Sequence, residues 1–184
     1  NPYYRNSGYR AVLQALPEPL RSALLDGRFD AAMEDDPWQV IPTAWVEAAM
    51  RRWTPTPPGP MSAGGVDPAM GGRARMTSAP RHGVGCAPVI AIPGVEVPTG
   101  VAAAGHVLRH LRDGAPAQVD AIGIGAACYE HLVQMGVPAA AMIASQTSTA
   151  RDRSGKLGFV NRRAEWWWTF REALDPETGD GAAL

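Results

Sequence analysis

Cysteine is scarce in this chain. Two residues, Cys86 and Cys128, among 184 allow at most one bridge and exclude a disulfide scaffold, so a reducing compartment is expected. Long apolar runs are missing as well. None approaches the roughly 18 residues of a membrane helix, and no charged-then-apolar leader opens the chain, so neither a membrane span nor a signal peptide is expected. A surplus of either charge is also lacking: 17 Lys and Arg against 18 Asp and Glu give a net charge of -1, which argues against a uniformly basic nucleic-acid coat while leaving local clusters open. There is no Walker A motif and no G-x-S-x-G elbow, and Cys128 has no recognisable histidine partner. The four histidines, His82, His106, His110 and His131, make no convincing metal set. His106 and His110 are one helical turn apart, but the third ligand and base of an H-E-x-x-H site are missing. Internal repeats are not seen. The first residue is Asn1 rather than Met, and the chain is expected to be a piece of something longer.

What is present suits one compact soluble domain with an appended segment, since 46% of residues are hydrophobic. Ser7 is placed to cap a helix through Leu16, Pro17-Glu18-Pro19 breaks it, and a second helix carries Leu20, Ala23, Leu24 and Leu25 before Gly27 stops it. Thr43 is expected to cap a helix whose apolar residues Trp45, Val46, Ala49, Met50 and Trp53 share one face. Pro55, Pro57, Pro58 and Pro60 mark a linker over residues 55–64, separating a helical segment at 1–54 from the rest. From Gly65 onward, strands are expected over 65–69, 76–82, 88–92, 118–122 and 140–145. Helices are expected after caps at Thr99 and Asn161, and from Ala126 to Met135. Three strands followed by helix, strand, helix, strand, helix describe an α/β layer with a mixed sheet over residues 65–184.

Acidic residues in strands are informative, because a carboxylate there carries a desolvation cost unless something binds it. Asp67 lies in Gly65-Val66-Asp67-Pro68-Ala69, and Asp120 in Val119-Asp120-Ala121-Ile122-Gly123-Ile124-Gly125. On adjacent strands these carboxylates could share two divalent cations about 3.5–4 Å apart and drive in-line phosphodiester hydrolysis; hard oxygen ligands suit Mg²⁺ or Mn²⁺. The plainer alternative makes Asp67-Pro68 a turn starter and Asp120 a strand-end residue bonded to backbone. The turn Gly123-Ile124-Gly125 begins like a dinucleotide fingerprint, but Cys128 occupies the third glycine position, and close helix-to-strand packing explains the glycines without a cofactor. Arg73, Arg75 and Arg81 follow Asp67, while Arg151, Arg153, Lys156, Arg162 and Arg163 follow the polar stretch 145–149. Arg75, Arg151, Arg153 and Lys156 are candidates for tracking a phosphate backbone, and the alternative for each is an ordinary solvated loop. Trp166, Trp167, Trp168 and Phe170 resemble a base-stacking platform, yet Trp166, Trp167, Phe170 and Leu174 are spaced as one helical face, which favours core packing.

These strings, in this order, resemble the C-terminal part of the large subunit of tailed-phage terminases, the motors that package viral DNA. The opening Asn1-Pro2-Tyr3, then Leu16-Pro17-Glu18-Pro19-Leu20-Arg21 and Asp36-Pro37-Trp38-Gln39-Val40-Ile41-Pro42, are similar to the region after the ATPase domain. The Asp67 and Asp120 strings look like two nuclease strands, and Asn161-Arg162-Arg163-Ala164-Glu165 with Phe170-Arg171-Glu172-Ala173-Leu174-Asp175-Pro176 looks like the late helix. The resemblance implies an RNase H-like mixed sheet flanked by helices, preceded by a small helical linker segment. It also implies a two-metal endonuclease (Mg²⁺ or Mn²⁺) that cuts concatemeric double-stranded DNA, with Asp67 and Asp120 as metal-binding carboxylates. The portal protein and small terminase subunit are the implied partners, and the implied location is the bacterial host cytoplasm and transiently the prohead. ATP belongs only to the intact protein, because the ATPase domain is absent here. The family's third acid lies beyond Leu184, Asp175 and Asp180 come too early to be it, and Ala74 stands where many relatives carry a further acid. Nuclease activity of this chain is therefore expected to be impaired. The other readings are a non-catalytic remnant that binds DNA or portal, and a nucleotide-binding module on the Gly123 turn.

Overall fold

The structure, a computed structural model, describes residues 13–14, 35–36, 38–177 and 179–184. The helices expected at Ser7 to Leu16 and Leu20 to Leu25, their break at Pro17-Glu18-Pro19 and the stop at Gly27 thus lie outside the described residues, apart from Leu13 and Gln14, which are helical. The chain divides into two units, Asn1–Gln39 and Val40–Leu184. In the first, Asp36 closes a turn, its carboxylate accepting the Trp38 amide at 2.8 Å and its carbonyl the Gln39 amide at 2.8 Å.

The second unit opens with helix α1 (Thr43–Arg52). Thr43 is the first helical residue rather than the cap. Pro42 stands at the N-cap, where its ring offers no side-chain acceptor, and its carbonyl starts the ladder by accepting from Trp45 and Val46. Trp45, Val46 and Ala49 turn inward as the periodicity requires, whereas Met50 is exposed.

Six strands then form one mixed sheet: β1 (Ala63–Asp67), β2 (Arg75–His82), β3 (Gly85–Cys86), β4 (Ile90–Pro93), β5 (Ala117–Asp120) and β6 (Ala139–Met142). The order is β3-β2-β1-β5-β6, with β4 also on β2. β4 pairs with the first half of β2 and β3 with its end, and the Ala87 amide bonds the Pro80 carbonyl between them, so β3 and β4 act as one interrupted strand. β1 runs antiparallel to β2 and parallel to β5, which is parallel to β6. Parallel neighbours need crossovers. Helices α2 (Gly100–His110) and α3 (Gly125–Gln134) supply them between β4 and β5 and between β5 and β6.

Both crossover helices cover the same sheet face. Ala103, Ala104 and Val107 of α2 and Cys128 and Leu132 of α3 pack with Val66, Met76, Ile92, Ala117 and Val119 of the strands. Side chains alternate along a strand, so burying Val66 and Val119 on this face sends their successors Asp67 and Asp120 to the other. Thr99 caps α2 by accepting the Ala102 amide at 3.2 Å, as its position in the sequence predicts. Helix α4 (Arg162–Leu174) is capped by Asn161, which accepts the Ala164 amide at 3.0 Å. α1 packs on α4 and the last residues through a smaller core of Ala49, Leu174 and Ala182, beside which the Arg171 guanidinium lies over the rings of Trp45 (4.7 Å) and Trp168 (4.8 Å). No helix among the described residues is long and apolar enough to cross a membrane.

Candidate metal centre at the end of the central strands

The parallel register pairs Val66 with Val119, so Asp67 and Asp120 come next on adjacent strands, at the same level and on the same face. Adjacent strands lie about 4.8 Å apart, which brings two carboxylates within the span of a shared cation. Both residues are exposed and both end their strands. Asp120 Oδ1 accepts the Ile122 amide at 3.1 Å, fixing one oxygen and leaving the other available. The Asp67 carboxylate has no hydrogen-bond or ion-pair partner among the described residues. The chemistry of this donor set, two hard anionic oxygens facing water, fits a divalent cation whose remaining ligands are waters. Among the described residues no group of three or more His, Cys, Asp or Glu is arranged around a common point, so these two carboxylates form a partial cradle. Asp175 accepts the Glu177 amide at 2.9 Å beyond the end of α4, and Asp180 faces Arg153 at 3.9 Å; neither joins Asp67 and Asp120.

The turn after β5 is shaped by packing. A Cβ at Gly125 would collide with the Asp120 carbonyl, and Gly123 has a positive φ of 59°. Gly125 is thereby explained by the start of α3 pressing onto the strand end, and Gly123 by its left-handed backbone.

The basic candidates separate. Arg75 begins β2, on the same face as Thr77, the antiparallel partner of Asp67, and so stands at the acidic end of the sheet. Arg151, Arg153 and Lys156 lie on a loop that follows β6. Arg151 is bridged to Gly158, and its guanidinium donates to the Lys156 carbonyl at 3.4 Å. The organiser of this loop is Asp152, whose carboxylate accepts the Ser154 hydroxyl (2.7 Å) and the Leu157 (2.8 Å) and Lys156 (3.0 Å) amides. Arg153 turns away from the acids: its amide donates to Glu172 at 3.0 Å, and it lines a cavity of about 460 Å³ between α4 and the β2–β3 end, together with Arg81, Trp166 and Phe170. Arg81 pairs with Ala63, at the far end of β1 from Asp67. Asp152 and Glu172 were not apparent as organisers in the sequence, although Asp-x-Ser-Gly is a turn signature that points to Asp152.

The helical face expected to pack as core does so only at Leu174. Trp167 is 55% exposed and Phe170 37%, because the small core that takes Leu174 does not extend to them.

A three-strand antiparallel unit followed by two parallel crossover strands, with acids ending the first and fourth strands of the order β1, β2, β3/β4, β5, is an RNase H-like arrangement. No protein-family model matches the sequence, and no curated protein matches it. Solved structures do match. A mutant nuclease domain of the large terminase subunit of bacterial virus Sf6, with manganese and beta-thujaplicinol, superposes with a TM-score of 0.52 at 21% identity over 73% of this chain and 64% of that one. The same mutant with calcium gives 0.52 at 20% identity over 73% and 63%, and the unmutated domain 0.52 at 19% over 73% and 64%. The chain has the fold of a phage terminase nuclease domain: among the described residues, a mixed six-stranded sheet with four helices. It spans slightly less than two thirds of the length of these neighbours.

Proposed function

We propose that the chain is part of a viral DNA-packaging terminase large subunit and carries its two-metal endonuclease domain, which cuts concatemeric double-stranded DNA. The observation that supports this best is the pairing of Val66 with Val119, which sets Asp67 beside Asp120 on the open face of the sheet. Asp67 and Asp120 would hold Mg²⁺ or Mn²⁺, and such ions supply Lewis-acid stabilisation of the phosphate and an activated water. Arg75, at the same end of the sheet, would neutralise a neighbouring phosphate, and Arg151 and Lys156 would extend that contact from their Asp152-ordered loop. Arg153 belongs to the same loop, but its engagement with Asp180 directs it away from the acids.

On this reading residues 65–184 belong to the nuclease domain, whose first strand already begins at Ala63, with the linker from 55 up to that strand and 1–54 the segment after an ATP-driven motor. The intact protein would meet the portal and small subunit in the bacterial host cytoplasm and on the prohead. A second reading, a DNA- or portal-binding remnant without catalysis, is favoured by the partial cradle of two carboxylates. Losing one member of a carboxylate set weakens metal affinity and geometry together, so activity should be feeble.

Plasmid nicking in Mn²⁺ separates the two readings. Weak nicking that falls at least about 100-fold in both Asp67→Asn and Asp120→Asn, with unchanged folding, is expected for the nuclease. Nicking that survives both substitutions refutes the site; DNA retention without any nicking, with Mn²⁺ or Mg²⁺, establishes the remnant.

A further inference from the structure

We infer that the aromatic groove on α4 binds the unpaired bases of single-stranded DNA, an inference that rests on reading the chain as a DNA-handling protein. Arg163, Trp166, Trp167 and Phe170 line a surface groove of about 220 Å³. Large aromatic side chains left in water forgo a burial gain of about 25 cal/mol per Å², so a contiguous exposed set implies an occupant. Trp168 and Trp45 are already covered by Arg171, and the rings of the groove are different ones.

Charge selects the occupant. The side chains of Arg162 and Arg163 are exposed and have no hydrogen-bond or ion-pair partner among the described residues. The carboxylates on α4 are taken up internally: Glu165 accepts the Ser148 hydroxyl at 2.7 Å, and Glu172 accepts the Arg153 amide at 3.0 Å and the Trp168 indole N–H at 3.1 Å. What faces solvent is a set of flat rings flanked by unpaired guanidinium groups. That pairing suits a polyanion carrying planar rings better than an apolar peptide, because rings stack on bases while arginines meet the phosphates. Duplex DNA hides its ring faces within its own stack, so only unpaired bases can use the groove.

Position agrees with this occupant. The amides of Arg162 and Arg163 donate to the Gln146 and Ala144 carbonyls at 2.8 and 3.0 Å, just past the end of β6. β6 is parallel to β5 and β5 to β1, so α4 starts at the same end of the sheet as Asp67 and Asp120. A strand frayed at the acids would therefore emerge at the end of the sheet from which α4 departs.

Fluorescence anisotropy on the full chain tests the inference. The probes are a labelled oligothymidylate of about 12 nucleotides, an abasic phosphodiester of equal length and a duplex of equal length, all in EDTA so that cleavage is excluded. The oligothymidylate should bind about tenfold more tightly than the abasic strand, Trp167→Ala should erase that difference, and Trp167→Phe should keep most of it. Trp167 is exposed, so its replacement should leave thermal unfolding unchanged, which circular dichroism checks. Equal binding of the base-bearing and abasic strands overturns the inference, as does an unaltered Trp167→Ala. So does sedimentation showing that the wild type self-associates and Trp167→Ala does not, without any change in DNA binding, because the groove would then be a contact between copies. Binding in EDTA does not pass through the metal centre. Base-dependent binding without nicking therefore defeats only the nuclease reading, and nicking without base dependence defeats only this one.

Discussion

The backbone of Gly125 rests against the carbonyl oxygen of Asp120, so the first residue of α3 and the last residue of β5 share a contact with no room for a side chain. The Cβ that Gly125 lacks would also crowd the Pro68 ring, at 3.4 Å from its Cγ. Asp120 itself and Pro68, the residue after Asp67, thus both border one helix start.

Gly125→Ala should lower stability by about 2 kcal/mol, the usual scale of overpacking, and shift Asp120 out of line with Asp67. Gly105, inside α2 with nothing within 4 Å of its missing Cβ, is the control: Gly105→Ala should be neutral or stabilise by up to about 1 kcal/mol. Urea denaturation of the two variants checks the contrast, and equal midpoints would refute it.

The loop bearing Arg151 and Lys156 should be sensitive to acid. The Ser154 hydroxyl above all, with the Leu157, Lys156 and Ser154 amides, holds the Asp152 carboxyl below the usual aspartate range. A carboxylate whose folded value lies below its unfolded value of roughly 3.9 contributes its stabilisation above that value and loses it as pH falls through the folded one. Protection of the Lys156 and Leu157 amides, relative to the unstructured exchange rate at the same pH, should therefore be present at about pH 6 and be lost only below the ordinary aspartate range. Asp152→Ala should make exchange at these amides fast at about pH 6 as well. Protection that persists in Asp152→Ala would show that the carboxylate does not order the loop.

The two cysteines should react very differently. Burial between α3 and the sheet pushes the Cys128 thiol up to about 11, leaving almost no thiolate at neutral pH, while Cys86 on β3 is half-buried. At about pH 8, a disulfide reagent should label the half-buried Cys86 alone. Cys128 should become labelled only after denaturation. Mass spectrometry of the labelled peptides reads the outcome, and equal labelling of both in the folded protein would contradict it.

Much of the fold was legible because the signals were local. The Thr99 and Asn161 caps place α2 and α4 correctly, since capping depends on one side chain and an amide three residues ahead. The five strands fall within a few residues of their expected positions for the same reason: alternation and turn residues are read within a short window. Thr43 misled because two adjacent residues compete for one cap, and the backbone settled it in favour of Pro42. The Trp166, Trp167, Phe170 stripe misled more deeply. Helical spacing states which residues share a face but not whether another element covers it.

Residue types and their order determined by themselves that a mixed α/β sheet would form and that two acids would lie in strands followed by small-residue turns, because side-chain alternation and glycine conformation act over a few residues. Only the tertiary structure decided that these acids lie side by side, that Arg75 stands at their end of the sheet while Arg153 turns toward Asp180, and that α4 keeps its aromatic face in water. Those outcomes depend on the pairing of strands some fifty residues apart, Val66 with Val119, and on a small core beside α4 that covers Leu174 but not the rings before it. Sequence periodicity carries no information about either, since both follow from how distant segments share space rather than from any segment's own preference.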